Sequence, residues 1–310
     1  MNLPKKVTIV DVGPRDGFQM EPGFIPTEQK IQIIDRLSET GIKRIEATSF
    51  VHPKYVPQLA DAEEVLARIK KKEGVIYEAL VPNAKGVERA IKAGVEHVSM
   101  VISASESHNK ANVNMTVAES LKTLKEAVKL ALSHGIKVTS GVGTAFGCAL
   151  EGWVPPEKVE AVADEFLDMG VSELSLGDTP GLANPVQVSE MVRYYLQKLK
   201  GTGIELRLHF HDSRGQGLAN VLAAMLEGAT IIDTAICGMG GCPYSPGATG
   251  NIASGDTVNL LEAMGIDTGI DVMKLIECER MTQDLLGKKL PGQTIKSGPI
   301  PWALKKPKSG

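Results

Sequence analysis

The chain has 310 residues, of which 43% are hydrophobic and 23% are charged, and its formal net charge at pH 7 is -3. This composition is typical of a globular protein, and the slightly acidic balance argues against nucleic acid or an anionic membrane surface as a partner. The apolar runs fall short of the ~18 residues that a transmembrane helix needs. The N-terminal residues "MNLPKKVTIVDVG" also lack the apolar region of a secretion signal. We therefore expect no membrane segment and a cytoplasmic location.

Short β-rich runs alternate with longer amphipathic segments along the chain. The first amphipathic segment, "TEQKIQIIDRLSETG", has apolar residues at helical spacing, and we expect Thr27 to cap this helix and Gly41 to end it. The predicted strands cover residues 7–13, 44–50, 76–81, 97–102, 137–145, 173–178, 206–212 and 231–238. Eight βα units in succession predict an α/β protein with the (β/α)8 TIM-barrel fold.

A doubly wound sheet is the alternative fold. It would normally carry a glycine fingerprint after the first strand, where this chain has "GPRDGFQ" instead. The segment after Gly255 has the pattern of extra C-terminal helices that close the same barrel. We therefore expect residues 1–300 to form a single catalytic domain, followed by a basic C-terminal tail at 301–310.

Polar and ionisable side chains are concentrated where the predicted strands end. Barrel enzymes place their catalytic groups at the C-terminal ends of the strands and in the loops that follow, so residues distant in sequence are expected to meet on one rim. The candidates, in chain order, are Arg15, Asp16, Gln19, Glu46, Ser49, Ser175, Asp178, Thr179, His209, His211, Cys242 and Asn251.

The strand "LRLHFHD" carries two histidines, His209 and His211, separated by one residue. Side chains alternate along a strand, so both imidazoles project to the same side. Together with Asp16 and Asn251 they offer mixed nitrogen and oxygen ligands without thiolate, which suits Mg²⁺ or Mn²⁺. Each residue alone also has an ordinary alternative: core histidines bonded to neighbours, a turn aspartate and a loop asparagine.

Arg15 and the loop after the last strand are the other candidates for chemistry. A fixed guanidinium at the rim can stabilise an enolate oxygen, and Glu46 either holds Arg15 in place for this role or forms a plain buried ion pair with it. The loop "GMGGCPYSPGATGN" lacks the G-K-[ST] ending of a phosphate loop. A lid that brings Cys242 over a substrate is the favoured interpretation, although a lone cysteine is usually inert.

Five motifs together resemble the 3-hydroxy-3-methylglutaryl-CoA lyase family, a branch of the metal-dependent lyase barrels that also include isopropylmalate synthase. They are "VDVGPRDGFQ", "IEATSFVHPKYVPQLAD", "LSLGDTPG", "HFHDSRGQGLAN" and "GMGGCPYSPGATGN". The segments "GPRDG" and "GGCPY" fit the lyases better than the synthases, whose first motif typically has Leu-Arg-Asp-Gly after a threonine. The resemblance implies cleavage of 3-hydroxy-3-methylglutaryl-CoA to acetoacetate and acetyl-CoA.

The resemblance also implies roles for individual residues. The implied cation ligands are Asp16, His209, His211 and Asn251. Arg15 is expected to stabilise the enolate, Glu46 to support the site and Cys242 to act in proton transfer, while His209 and Asp16 are alternative bases. The expected substrate contacts are Arg15, Gln19, Ser49, Asn112, Ser175 and Thr179.

Some properties stay open at this level. A related acyl-CoA lyase or aldolase and a Claisen-type synthase are the alternative enzymes, and a non-catalytic barrel that binds acyl-CoA or metal is the alternative outside enzymes. A homodimer is a family-based expectation. The acyl chain that is tolerated and the pathway, whether leucine degradation with ketone-body formation or another acyl-CoA route, are not specified by the residues.

Overall fold

Eight parallel strands close into a barrel in the computed structural model, which describes residues 3–241 and 250–301. The strands follow one another around the barrel in chain order, and the first pairs with the last. They are β1 (Thr8–Asp11), β2 (Arg44–Ser49), β3 (Ile76–Leu80), β4 (His97–Ser103), β5 (Lys137–Gly143), β6 (Glu173–Asp178), β7 (Glu205–Phe210) and β8 (Ile231–Thr234). Each overlaps a predicted strand, and closure of the sheet excludes the doubly wound alternative.

Helices join the strands and cover the outside of the barrel. They are α1 (Thr27–Glu39), α2 (Ala62–Arg68), α3 (Ala84–Lys92), α4 (Glu106–Val113), α5 (Val117–Ser133), α6 (Pro156–Asp168), α7 (Pro185–Lys198), α8 (Gly217–Glu227), α9 (Ser254–Ala263), α10 (Val272–Leu286) and α11 (Thr294–Ser297). The last three follow β8, as the pattern after Gly255 predicts. Among the helices of the described ranges, none combines the length and the hydropathy that crossing a bilayer requires.

Helix α1 begins where expected, but the prediction that Thr27 caps it is wrong. The N-cap position is Pro26, which has no side-chain donor or acceptor for the first turn. The Thr27 hydroxyl instead donates to the Asp61 carboxylate at 2.8 Å. The buried ammonium of Lys30 donates to the same carboxylate at 2.6 Å. Thr27 therefore ties α1 to the segment before α2 and leaves the first-turn amides of α1 uncapped.

Charged side chains fill the part of the barrel interior below the rim. Arg44 on β2 donates to both oxygens of Glu173 on β6, across the barrel, at 2.7 and 2.9 Å. Arg207 on β7 donates to Glu78 on β3 at 2.8 Å. Burial alone would raise the pKa of Glu173, but hydrogen bonding and charge from the two arginines lower it to about 2. The interior is thus held by paired charges where most barrels of this fold use branched apolar residues.

Candidate active site

A tight turn after β1 places Arg15 and Asp16 on the rim. Residues Gly13–Gly17 form one π-helical turn, which begins with the Gly13 amide donating to Asp11 at 2.9 Å. A Cβ at Gly13 would lie 2.7 Å from Cγ2 of Ile236, just beyond β8. Only glycine allows the turn to pack this closely against the end of β8, and this packing sets where the next two side chains point.

Two carboxylates hold the guanidinium of Arg15. Its Nε donates to Glu46 on β2, and its Nη1 donates to Asp16. The other oxygen of Glu46 accepts from the Ser99 hydroxyl on β4, so the carboxylate is fixed on both sides. Burial alone would lower the pKa of Arg15, but the charges of Glu46 and Asp16 raise it above its usual value. A guanidinium has five N–H groups, so donors remain for an anionic ligand.

The structure brings Asp16, His209 and His211 into one cluster. One ligand atom from each lies within 4.8 Å of the others, an arrangement able to hold a metal ion. The ring centroids of His209 and His211 are 5.0 Å apart, as expected for two side chains on the same side of a strand. The two imidazoles therefore lie next to each other on one side of the chain, as the sequence predicts.

Asn251, the last residue of the loop that follows β8, is held beside this cluster by a backbone bridge to the segment after β7. His211 and Asn251 form an antiparallel bridge, and the Asp212 amide donates to the carbonyl of Gly250 at 2.9 Å. The Asn251 amide nitrogen donates to Asp16 at 2.6 Å and to the Met239 carbonyl at 3.0 Å. Its carbonyl oxygen is left available for a different partner.

Three buried atoms of the cluster have no hydrogen-bond partner within the described part of the chain. They are the side-chain oxygen of Asn251 and both ring nitrogens of His211. Buried polar atoms without a protein partner are rare in folded proteins, and those that occur often contact a bound ion or water molecule. A carboxylate, two imidazoles and a carboxamide oxygen together fit a divalent cation with oxygen and nitrogen ligands.

Asp233 on β8 orients His209. It is not among the site residues that the sequence predicts. Its carboxylate lies 3.1 Å from Nδ1 of His209, which leaves Nε2 as the free ring nitrogen. Its other oxygen accepts from Nε of Arg207, so the buried ion network extends up to the cluster. The signal that could have identified it is its position as the one acidic residue in the apolar run "IIDTAICG". Its use depends on knowing that Asp233 pairs with His209 across β7 and β8.

The charges around the cluster fix its protonation. Burial alone would raise the pKa of Asp16, but Arg15, followed by His209 and His211, holds it below its usual value. Burial, reinforced by His209, lowers the pKa of His211 to about 3. Asp16 is therefore an anion and His211 a neutral imidazole near neutral pH, the forms in which both side chains bind metals.

Gly240, two residues before Cys242, lies against the cluster. Gly240 adopts a left-handed φ of 116°, and a Cβ there would lie 2.4 Å from the Asn251 amide nitrogen and 3.1 Å from a carboxylate oxygen of Asp16. Any side chain at this position would displace Asn251. Cys237, which precedes the loop, is fully buried, as expected for a packing residue.

The remaining predicted residues differ in how they relate to this cluster. Gln19 donates to Asp16 at 3.3 Å and so belongs to it. Ser175 lies on β6, where it pairs with Arg207, and the Thr179 hydroxyl accepts from the Thr144 amide at 3.1 Å. Ser175 therefore faces the barrel interior, as Arg207 does.

Ser49 and Asn112 do not join the cluster. The Ser49 hydroxyl is buried and accepts from the Val51 amide at 3.2 Å, which is a local turn contact. Asn112 is exposed near the end of α4. Cys242 lies outside the described residues.

The arrangement can bind an oxyanion next to a divalent cation. Free N–H groups of Arg15 lie beside Asp16, and Asp16 also belongs to the ion-binding set. A fixed cationic donor next to a Lewis-acid site stabilises negative charge that develops on a substrate oxygen. This chemistry suits reactions that pass through an enolate.

Comparison with known proteins gives consistent matches over most of the chain. The model of the HMGL-like family matches residues 6–282. Hydroxymethylglutaryl-CoA lyase YngG of Bacillus subtilis is 44% identical over 295 residues, which covers 95% of this chain and 98% of the relative. The mitochondrial hydroxymethylglutaryl-CoA lyase of Macaca fascicularis is 45% identical over 93% of this chain and 88% of its own length.

A solved structure agrees with these relatives. An HMG-CoA lyase from Acinetobacter baumannii, in complex with coenzyme A and 3-methylmalate, superposes with a TM-score of 0.91 and is 42% identical. The match covers 96% of this chain and 97% of that one. The carboxyl transferase domain of Rhizobium etli pyruvate carboxylase, at 18% identity and a TM-score of 0.70, shares only the fold.

Proposed function

The chain belongs to the HMGL-like family, and from this membership we propose that it cleaves 3-hydroxy-3-methylglutaryl-CoA to acetoacetate and acetyl-CoA. The relatives that it matches over nearly their full length are lyases of this kind. Within the structure, one observation carries the proposal. Arg15 lies against Asp16, so a donor for an enolate and a candidate cation site occupy the same few ångströms of the rim.

The cation site in this proposal consists of Asp16, His209, His211 and Asn251, with Mg²⁺ or Mn²⁺ as the ion. The partnerless oxygen of Asn251 and the partnerless nitrogens of His211 support this ligand set. A cation bound there acts as a Lewis acid on substrate oxygens and lowers the pKa of the substrate hydroxyl. Asp233 keeps His209 in the orientation and tautomer that ligation needs.

The reaction begins with loss of the proton on the tertiary hydroxyl. Asp16 is the poorer of the two candidate bases, because both of its oxygens accept hydrogen bonds and its pKa is lowered by Arg15. His209 is the better candidate, since Asp233 holds its Nδ1 and leaves Nε2 to accept the proton. Nε2 is also the atom through which His209 would bind the cation. The same nitrogen cannot bind the cation and hold the proton at the same time.

Breaking the bond between C2 and C3 then turns C3 into the ketone of acetoacetate. The electron pair of that bond passes to C2, which gives the enolate of the acetyl-CoA thioester. Arg15 donates to the enolate oxygen with the N–H groups that Glu46 and Asp16 leave free. Protonation at C2 completes acetyl-CoA, and we assign this proton to the thiol of Cys242. Gly240, two residues before that cysteine, contacts the cluster, which supports the assignment.

The same proposal covers the wider setting of the enzyme. Residues 1–300 act as one catalytic domain with an acyl-CoA substrate, and the protein works as a homodimer in the cytoplasm, in leucine degradation with ketone-body formation or in another acyl-CoA route. The bacterial relative and its length support the single-domain, cytoplasmic part. A light-scattering mass of twice the 33.1 kDa chain is the expected result for the dimer, and a mass equal to the chain would contradict it.

Product analysis tests the proposed reaction. Purified protein supplied with Mg²⁺ or Mn²⁺ should release acetoacetate and acetyl-CoA in equal amounts from 3-hydroxy-3-methylglutaryl-CoA. A condensing enzyme would instead consume acetyl-CoA when given a ketone acceptor. Absence of both products, from protein whose far-ultraviolet circular dichroism matches a folded α/β barrel, would refute the proposed reaction.

A further inference from the structure

One residue of β4 stands out by its exposure. Ser99 on this strand donates to Glu46, which holds Arg15, so Ser99 faces the barrel interior near the rim. Val101 is two residues further on and therefore faces the same way. Val101 is 50% exposed, whereas every other residue of β4 is at most 5% exposed. The strand thus presents one bare apolar side chain to the mouth of the barrel.

The inward positions beside Val101 carry no side chain. Gly141 on β5 pairs with Val101, and Gly143, two residues further on, faces the same side as Gly141. Gly177 on β6 pairs with His209. Glycine weakens a strand, because it costs entropy and offers nothing to pack. None of these three has a positive φ, so the backbone conformation does not require glycine here.

Packing does not require glycine at these positions either. A Cβ at Gly177 would find its nearest neighbour at 3.6 Å and one at Gly143 at 3.4 Å, both ordinary contacts. At Gly141 the nearest neighbour is a methyl of Val101 at 3.1 Å, a side chain that can turn. The three nearest atoms at each position belong to β4, β5 or Thr179, and none comes from across the barrel. β5 and β6 also pair in regular register without a bulge here, which leaves close approach of a ligand as the reason for glycine inside these strands.

These four residues, Val101, Gly141, Gly143 and Gly177, form what we call the bare wall. It begins beside the candidate cation ligand His209 and runs from β6 to β4. Adjacent strands are about 4.8 Å apart, so the wall is roughly 10 Å wide from β6 to β4, and one further strand spacing separates it from β7. None of the four residues has a charged or hydrogen-bonding side chain, and the nearest hydroxyl is that of Thr179, 3.4 Å from a Cβ at Gly143. A methyl group on a carbon held at the cation site reaches at most the near edge of the wall at Gly177, and each further carbon extends along the wall towards Val101.

We propose that the bare wall binds the substituent on C3 of the acyl group, so that the chain cleaves 3-hydroxy-3-alkylglutaryl-CoA thioesters whose alkyl group is longer than methyl. The inference rests on the proposed function and extends its substrate class. Atoms balance as in that reaction. The hydroxyl loses its proton, the C2–C3 bond breaks, C2 gains a proton to give acetyl-CoA, and C3 becomes the ketone of a 3-oxo acid that keeps the alkyl group.

A homologous substrate series tests the proposal. Acetyl-CoA release is measured for the methyl, ethyl, propyl and butyl members, because that product is common to all four. Burial of a methylene against an apolar wall is worth about a fourfold gain in kcat/KM. We expect kcat/KM to rise by about this factor for each added carbon until the wall is covered. A fall with each added carbon would overturn the proposal.

Two variants test whether the bare wall causes the rise in kcat/KM with chain length. Gly141→Leu fills it, so kcat/KM for the butyl substrate should drop well below that for the methyl substrate. Val101→Ser makes the wall polar without filling it, which should abolish the gain per carbon, and this variant decides the matter if Gly141→Leu does not fold. Leu226→Ser is the matched control, since Leu226 is 41% exposed at the C-terminal end of α8, which leads back to the start of β8 on the face of the barrel opposite the rim. An unchanged chain-length series in both wall variants would contradict the proposal.

The possible results distinguish this inference from the proposed function on which it rests. Cleavage of the methyl substrate alone would overturn the inference and leave the proposed function in place. Cleavage of the longer substrates without the methyl one would support the wall and change the assigned substrate. No cleavage of any member by folded, metal-supplied protein would refute both.

Discussion

Replacing Arg15 with methionine removes the donor that the mechanism assigns to the enolate and keeps a side chain of similar length. Loss of one donor to a developing oxyanion typically costs a factor of about 10² to 10³ in kcat, or about 2.7–4 kcal/mol. We expect kcat of Arg15→Met to fall by at least about 10². KM should change far less, because the enolate charge exists only after the C2–C3 bond has begun to break.

The same substitution also affects stability, and the assay must separate the two effects. Arg15 neutralises Asp16 and Glu46, and the side chain of Glu46 is only 1% exposed. Removing one partner of a buried ion pair costs about 3–5 kcal/mol, and the 11% exposure of the Arg15 side chain places the cost toward the lower end. Thermal melting of the variant therefore sets the temperature at which kcat is measured.

Two companion variants sharpen the Arg15 test. Arg15→Lys keeps the positive charge but loses the planar fork, so it should recover stability better than it recovers kcat. Glu46→Gln keeps one oxygen to accept from Arg15, and its NH2 group can donate to the Ser99 hydroxyl, so this variant should leave more activity than Arg15→Met. The assigned role of Arg15 would be refuted if folded Arg15→Met turned over within a few-fold of wild type.

Three further results are expected. Asn251→Ala should weaken Mn²⁺ binding measured by titration, because it removes a partnerless buried oxygen; unchanged affinity would remove Asn251 from the ligand set. Asp233→Asn should cost about 10- to 100-fold in metal affinity, since it loosens the tautomer and orientation of His209, and an affinity equal to wild type would contradict that role. Burial raises the pKa of Glu279 to about 7, so its ionisation opposes folding and stability should fall as pH rises from about 4.5 to about 7. Glu279→Gln keeps an acceptor for the Gly255 amide and should remove up to about 3 kcal/mol of this fall in urea melts at pH 5 and pH 8; identical slopes for both proteins would refute the assignment.

The sequence could predict the barrel because its signals are local. Short β-rich runs that alternate with amphipathic segments need no knowledge of tertiary contacts, and the eight predicted strands are confirmed. The pairing of His209 with His211 follows from the two-residue period of a strand. The approach of Arg15 to Glu46 was expected from neighbouring strands that end at one rim, and the structure has that contact.

Other features depend on register, which the sequence does not specify. Asp233 faces His209 only because β7 and β8 pair at that level. The bare wall likewise exists because Gly141 pairs with Val101 and Gly177 with His209.

Local propensity also has limits where tertiary partners compete for a side chain. Thr27 has the chemistry of a helix cap, but the carboxylate of Asp61 takes its hydroxyl. The charged interior was not predicted either, because each of its residues is paired with a partner on a distant strand, as Arg44 is with Glu173.

The most direct test of the proposed mechanism measures Mn²⁺ binding and turnover in the same samples. The free-ion signal in electron paramagnetic resonance gives the bound fraction, and acetoacetate release from 3-hydroxy-3-methylglutaryl-CoA gives the rate. The mechanism predicts one Mn²⁺ per chain, a rate proportional to the bound fraction, loss of both with a chelator, and loss of both in Asp16→Ala with His211→Ala. Turnover that persists with chelator, or Mn²⁺ binding that is unchanged in the double variant, would contradict it.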